Sequence, residues 1–114
     1  MKWPLWILTI LDTILPARRV LICNDKVPPK LPWRNLVLLR DGGEDWSISM
    51  RCPCGCGQTI ELPLIKEATP RWSLNIEKGN LPTLSPSIWL HEKCRAHFFV
   101  KHGRVIWVKS VVLN

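Results

Sequence analysis

Four cysteines have the residue type and the spacing of a metal site. Cys52, Cys54 and Cys56 lie within five residues, and Cys94 follows in the second half of the chain. Zn²⁺ prefers sulfur and nitrogen ligands and takes four of them in structural sites. A site closed by four thiolates has no open position, so the zinc ion predicted here is structural and does not itself activate water.

Buried thiols or disulfide bonds are the alternative interpretation of this cluster. The sequence contains five cysteines, and an odd number argues against a fully paired disulfide framework. Cys54 and Cys56 are too close along the chain to bridge each other comfortably, and clustered thiols in a reducing compartment favour a metal. The fifth cysteine, Cys23, lies in an apolar run and is predicted to be a small buried side chain.

Two serines and one histidine are the other residues that could carry chemistry. Ser85 and Ser87 flank Pro86 in the segment 82–88, which is predicted to be a rigid loop. His97 follows Cys94 by three residues, so a metal bound at Cys94 would hold the imidazole in place. Such serines are more often turn residues, and a lone histidine is by default a core residue. His97 could also be a metal ligand in place of one cysteine. The functional interpretation is a general base, His97, that activates a serine.

Length, charge and composition limit the class of protein. The 114 residues predict one metal-stapled β domain, residues 33–114, preceded by an apolar segment and linker, residues 1–32. The net charge of +7 permits nucleic-acid binding, but the basic residues are scattered rather than clustered. Most of the seven tryptophans fall in strand patterns and are predicted to be core residues, so nucleic acid is not an expected partner.

Residues 1–15 are strongly apolar and are predicted to form a short helix. Leu5, Leu8 and Leu11 fall at helical spacing, and Pro16 ends the pattern. The segment lacks the small-residue cleavage site of a signal peptide, carries an aspartate and is too short to span a bilayer. We therefore expect a cytoplasmic protein without a transmembrane segment, whose helix packs on the core or on a partner.

Much of the remaining chain shows the period-two alternation of β-strands. Strand patterns cover residues 36–39, 46–51, 59–64, 72–76 and a final hairpin at 97–108. The three clustered cysteines therefore fall in the turn between two strands, which is the ordinary setting of a zinc ribbon. The predicted fold class is mainly β: a small zinc-ribbon-like domain of antiparallel hairpins with a short N-terminal helix.

The order of the motifs resembles a small bacterial family long labelled as of unknown function, over residues 33–109. The shared motifs are Cys-Pro-Cys-Gly-Cys-Gly, Pro-Arg-Trp-Ser-Leu, Leu-Ser-Pro-Ser-Ile, Cys-Arg-Ala-His-Phe and Gly-Arg-Val-Ile-Trp. Members are encoded beside ubiquitin-like proteins and their activating and conjugating enzymes, in operons tied to antiviral defence. The resemblance implies a zinc-stabilised serine peptidase, with Cys52, Cys54, Cys56 and Cys94 as zinc ligands and His97 as the catalytic histidine.

One position departs from the pattern of that family. Its last motif reads cysteine, any residue, serine, histidine, and Ala96 takes the place of the serine here. Three explanations compete. The nucleophile lies elsewhere, with Ser87 the best candidate and Ser85 beside it. The chain is an inactive relative that only binds the modifier. Or an active serine was replaced to trap a substrate complex.

The function implied by the resemblance is processing or removal of a ubiquitin-like protein by serine-type acyl transfer. Its C-terminal tail is the expected partner, bound along a strand edge, and its conjugating enzyme is a second expected partner. No third catalytic residue is evident, and Glu44, Asp45 and Glu61 are the carboxylates considered. The alternative function is a non-catalytic zinc-ribbon adaptor that binds the ubiquitin-like protein or its conjugating enzyme.

Overall fold

The computed structural model describes residues 4–90 and 94–108. The ends of the two predicted segments, residues 1–3 and 109–114, lie outside these ranges. The helix and strands of the described residues are, in chain order, α1 Leu5–Ile14, β1 Val20–Cys23, β2 Leu36–Asp41, β3 Glu44–Arg51, β4 Thr59–Pro63, β5 Ser73–Glu77, β6 Leu81–Trp89, β7 His97–Lys101 and β8 Arg104–Trp107.

The strands form two four-stranded sheets, the first in the order β1-β2-β3-β4 and the second in the order β5-β6-β7-β8. All neighbouring pairs are antiparallel except β1 and β2, which are parallel. The predicted mainly β fold with a short N-terminal helix is therefore confirmed. The parallel strand was not predicted, because its four apolar residues are too few to show an alternating pattern.

Both sheets contribute side chains to one core. Leu38 and Ile48 of the first sheet and Ile88 and Phe98 of the second are at most 1 % exposed and belong to the same buried cluster. Burial of each such side chain contributes about 1.5–3 kcal/mol relative to exposure. The core therefore fixes the second sheet against the first, and with it the strands that carry Ser87 and His97.

Helix α1 packs against β8. Its buried residues are Leu8 and Asp12, which lie one turn apart and therefore face the same side. The Asp12 carboxylate accepts a hydrogen bond from Arg18 and another from the Val105 backbone N–H, at 3.1 Å. The aspartate that interrupts the apolar segment thus holds the helix onto the second sheet. Within the described residues, no helix has the length and apolar character needed to cross a membrane.

The prediction of a loop at residues 82–88 is wrong, because this segment is the middle of β6. Pro82 and Leu84 are buried, and Ile88 returns to the core after a shift in register with β7 between Leu84 and Ile88. Proline cannot donate to a sheet ladder, so prolines in a sequence normally argue against a strand. Here the second proline, Pro86, lies within the register shift.

The prediction that most tryptophans are core residues is also wrong. Among the described residues, four tryptophans are exposed and two are half-buried: Trp6, Trp33, Trp46 and Trp89, and then Trp72 and Trp107. The core is filled instead by leucine, isoleucine, valine and one phenylalanine. Cys23 is half-buried rather than buried, because it lies on the edge strand β1.

Candidate functional site

The four cysteines predicted to bind a metal lie together. Their Sγ atoms are all within 4.8 Å of one another, with Cys52 Sγ 3.3 Å from Cys54 Sγ and 3.6 Å from Cys94 Sγ. Four sulfurs that surround one tetrahedral ion at about 2.3 Å stand roughly 3.8 Å apart. None of the five cysteines of the chain is in a disulfide bond. The cluster therefore could hold a metal ion.

The turn between β3 and β4 brings three of the sulfurs together. The Cys52 N–H donates to the Gln58 carbonyl at 2.8 Å, which closes the turn. Gly55 and Gly57 have φ angles of +88° and +84°, in the left-handed region where side chains other than hydrogen are strained. The backbone can therefore curl tightly enough to point neighbouring sulfurs at one position.

The connection between β6 and β7 brings the fourth sulfur. The Leu90 N–H donates to the Ala96 carbonyl at 2.8 Å, so the connection closes on itself. Arg95 has a φ of +55° and turns the chain from Cys94 into β7. Cys94 thus joins a cluster whose other members belong to the first sheet, while the chain continues directly to His97 in the second.

Burial disfavours the ionised form of two of the thiols. It raises the pKa of Cys52, and it raises the pKa of Cys54 to about 11. Burial acts in the same direction on Cys56, but hydrogen bonds from the Gln58 backbone and the neighbouring thiols outweigh it, so the pKa of Cys56 is lowered. Metals bind the thiolate form. A cation in the cluster would supply the positive charge that buried thiolates need.

Ser87 and His97 are in hydrogen-bond contact, with 2.9 Å between Ser87 Oγ and His97 Nε2. Their neighbours Ile88 and Phe98 are paired across β6 and β7 and are buried in the core. Because side chains alternate across a strand, Ser87 and His97 project from the opposite, outer face of the second sheet. The structure thus brings together one of the two serines and the histidine singled out in the sequence.

Trp89 covers one face of the histidine. Trp89 is paired in register with His97 across β6 and β7. Its ring stacks on the imidazole, with 4.8 Å between ring centroids and 9° between planes. Trp72 directly precedes β5, the neighbour of β6 on the side away from β7, and donates its indole N–H to the Ser87 carbonyl at 3.4 Å. Sequence reasoning missed Trp89. Its signal was the two-residue spacing from Ser87, which places both on one face of a strand.

The carboxylates considered as a third catalytic residue do not contact His97. Glu44 and Asp45 belong to β3 and Glu61 to β4, and both strands are in the first sheet. Asp45 is instead paired with Arg40, with 2.7 Å from Nε to Oδ1. Across the described ranges, no carboxylate is hydrogen-bonded to His97.

Of the other two positions considered for the nucleophile, Ser85 makes no hydrogen bond to the histidine within the described residues, and Ala96 directly precedes it in the chain. Ser85 is exposed and is paired with Ser73 of β5. Ala96 is 3 % exposed and belongs to the core cluster. A hydroxyl at position 96 would be buried, at a cost of about 1–3 kcal/mol if it found no hydrogen-bond partner.

The fold and site define a class of protein: a small two-sheet β domain with a four-cysteine cluster and a serine–histidine pair. A family model matches residues 23–108, and the chain belongs to that family, the bacterial ubiquitination-like system serine protease family, BubE. The resemblance found in the sequence is thereby confirmed. Comparison with curated proteins gave no match, and comparison with solved structures gave none.

Proposed function

We propose that this protein is a serine peptidase that processes or deconjugates the ubiquitin-like protein of its system, with Ser87 as the nucleophile and His97 as the general base. The observation that carries the proposal is the 2.9 Å contact between Ser87 Oγ and His97 Nε2, which lies within the range required for proton transfer. The family description supports a serine protease of a bacterial ubiquitination-like system.

The proposed reaction is acyl transfer in two steps. Ser87 Oγ attacks the carbonyl carbon of the last residue of the modifier, and the serine proton passes to His97 Nε2. The C–N bond then breaks, and the same nitrogen gives the proton to the leaving amine. In the second step His97 takes a proton from a water molecule that attacks the ester carbonyl, the bond between that carbon and Ser87 Oγ breaks, and His97 returns the proton to Ser87 Oγ. Backbone N–H groups near Ser87 would stabilise the negative charge on the oxygen.

Trp89 supports the proposal as a positioning residue. An imidazole hydrogen-bonded only to Ser87 could rotate about its side-chain bonds, and a ring stacked at 9° restricts that rotation. The aromatic face also favours the imidazolium that forms when the proton arrives. Trp89 would thus do part of what a carboxylate does in a three-residue site.

We further propose that the four cysteines bind a structural zinc ion. Their mutual distances suit a tetrahedral sulfur site. When bound, zinc would join the turn before β4 to Cys94 and so fix the start of β7, where His97 lies. Five cysteines without a disulfide bond are typical of a reducing compartment, so we propose a cytoplasmic location.

The tail of the ubiquitin-like protein would bind next to β6. The ladder between β5 and β6 ends at the pair Ser73 and Ser85. Past Ser85, no strand of the described residues continues that ladder beside the segment that carries Ser87. The Ser87 carbonyl on this edge already accepts the Trp72 indole N–H, so an extended peptide that added here would displace the indole to make its main-chain hydrogen bond at Ser87. The carbonyl groups of the peptide would then run past the serine–histidine pair.

The test is cleavage of the modifier precursor, followed by intact mass. The unmodified chain should shorten the precursor to a single product. Ser87→Ala and His97→Ala should each slow cleavage by at least ~10³-fold, as loss of a nucleophile or its base does in other serine peptidases. Ser85→Ala is the matched control, because this serine is two residues away and exposed, and it should cleave normally.

Two results would overturn this assignment. If Ala96→Ser is required for any cleavage, the nucleophile belongs at position 96 and Ser87 is not catalytic. If the protein forms a stable complex with the modifier and the precursor mass never changes, the chain is the non-catalytic adaptor.

A further inference from the structure

A cavity of about 230 Å³ lies between helix α1, β8 and the turn that carries the clustered cysteines. The charged and aromatic residues that line it are Asp12, Arg18, Trp33, Arg34, Arg51 and Trp107. Trp107 is paired with Phe98, whose side chain is in the core, whereas His97 projects from the other face. The cavity is therefore separated from the Ser87–His97 pair by the second sheet.

Arginines outnumber carboxylates among the residues that line this cavity. Asp12 is the only carboxylate among its lining residues, and it is engaged by Arg18, whose side chain is 8 % exposed. Arg34 lies farther from that carboxylate, with 3.7 Å from Nη2 to Oδ1. Its Nη2 donates to the Pro16 carbonyl at 2.7 Å. One aspartate thus stands against three guanidinium groups.

Two of these guanidinium groups are incompletely satisfied. Arg34 Nε is buried without a hydrogen-bond partner. Burial, and next the positive charge of Arg18, lower the pKa of Arg34, while the nearby Asp12 carboxylate acts in the opposite direction. Arg51 lines the same cavity from the end of β3, and among described residues it makes no hydrogen bond or ion pair. Both arginines line the cavity, so an anion bound in it would find two guanidinium groups in its wall.

The rest of the lining is apolar. Leu8 and Leu11 of α1 and the ring of Trp107 face the cavity. Trp33 is 69 % exposed, and its ring centroid lies 6.0 Å from the Arg34 guanidinium. A small inorganic anion would use the arginines and leave these surfaces in water. A ligand that carries an apolar group beside its anionic group would cover them.

We propose that this cavity binds an acidic peptide, with a side-chain carboxylate on Arg34 and Arg51 and a neighbouring apolar side chain on Trp33 and Trp107. Guanidinium groups suit carboxylates because both are planar and can form paired hydrogen bonds. The site lies on the face away from Ser87, so the proposal does not depend on the peptidase activity. It would let the protein dock on an acidic segment of a partner while the outer face remains free.

The test is calorimetric titration of the full, metal-loaded chain with two short peptides. Acetyl-Leu-Glu-amide carries the carboxylate, and acetyl-Leu-Gln-amide has the same shape without the charge. The first should bind at least ~10-fold more tightly than the second, because hydrogen bonds to a charged carboxylate are stronger than those to a neutral amide. Arg51→Gln should weaken binding of the first peptide by a similar factor. Arg34→Gln is the second variant and should act in the same direction.

Lys78→Gln is the control for net charge, because Lys78 is exposed in the turn after β5 and outside the cavity. It should leave the affinity unchanged. Equal affinity for the two peptides would overturn the proposal, as would a loss with Lys78→Gln equal to that with Arg51→Gln. Inorganic phosphate that binds more tightly than the glutamate peptide and displaces it would also overturn the peptide assignment, since it would define a site for a bare anion.

Discussion

At the scale of single residues, the serine–histidine pair depends on one hydrogen bond and one stacked ring. A serine hydroxyl is a weak nucleophile until a base takes its proton. His97 Nε2 lies 2.9 Å from Ser87 Oγ, and Trp89 holds the imidazole from the side. No described carboxylate contacts the other imidazole nitrogen, so orientation of the base should depend unusually strongly on the tryptophan.

The role of Trp89 can be tested by changing its ring. Trp89→Leu should lower kcat for precursor cleavage by ~2–10-fold, because a stacked aromatic pair is worth about 0.5–1.5 kcal/mol. Trp89→Phe should recover most of the rate, since a smaller ring can still stack. Stability should change little in either variant, because Trp89 is 55 % exposed. Equal rates for the leucine and phenylalanine variants would rule out a role for stacking.

Asp12 is a second single residue whose replacement should have a large effect, in this case on stability. Its side chain is 8 % exposed, and it accepts hydrogen bonds from Arg18 and the Val105 N–H. Removal would leave a buried guanidinium uncompensated, which typically costs about 3–5 kcal/mol. Asp12→Ala should therefore lower the free energy of unfolding in urea by that amount. The control Asp25→Ala removes an exposed aspartate and should have almost no effect; a similar small loss for Asp12→Ala would contradict the account.

At the scale of elements, the sequence predicted the strands that alternate and the apolar run that became β2, but it missed the short strand β1 and the proline-containing strand β6. The pattern of the final hairpin matches β7 and β8, because Phe98 and Val100 are buried between partly exposed residues. Strand β6 was missed because Pro82 and Pro86 argue against a strand, and β1 was missed because it is short. Ser87, Trp89 and His97 can be placed on the same face of the second sheet only when β6 is known to be a strand. The contact between Ser87 and His97 depends on the register shift in β6, which no local pattern encodes.

The turn between β7 and β8 makes a specific contact with the chain that follows α1. Gly103 has a φ of +75°, and its carbonyl accepts a hydrogen bond from the Arg18 N–H at 2.7 Å. A Cβ atom at this position would collide with the Arg18 carbonyl oxygen. Gly79 has a similar φ of +84° but open space around it. Alanine substitutions at these two positions can therefore distinguish the cost of backbone strain from the cost of a steric collision.

Gly79→Ala should lower the free energy of unfolding by about 1–2 kcal/mol, the cost of a left-handed residue with a side chain. Gly103→Ala carries the same strain and must also move the Arg18 backbone, so its loss should exceed that of Gly79→Ala clearly. Chemical denaturation of both variants gives the comparison. Equal losses would mean that the contact between this turn and Arg18 does not matter for stability.

At the scale of the whole molecule, the cysteine cluster joins the two sheets. Three of its thiols come from the turn between two strands of the first sheet, and Cys94 comes from the connection within the second. If zinc binds there, metal binding and folding should be coupled. Elemental analysis should find one zinc per chain, and chelation should lower the melting temperature. Cys94→Ser should also lower the melting temperature, whereas Cys23→Ser, which lies outside the cluster, should leave it unchanged.

Metal affinity should also depend steeply on pH. The pKa of Cys54 is raised to about 11 and that of Cys52 is raised by burial, so both thiols bind protons tightly when no metal is present. A metal must displace those protons, and its apparent affinity should fall as the pH is lowered. Competition with a chromophoric chelator at several pH values measures this. A constant affinity from pH 8 to pH 6 would contradict binding through buried thiols.

The most direct test of the central claim is to label the nucleophile. A fluorophosphonate forms a covalent bond only with a serine whose proton is taken by a nearby base, and peptide mass mapping shows which serine carries it. We expect the adduct on Ser87, and none in the His97→Ala variant. An adduct on Ser85, or efficient precursor cleavage by a protein whose Ser87 is replaced by alanine, would contradict the account.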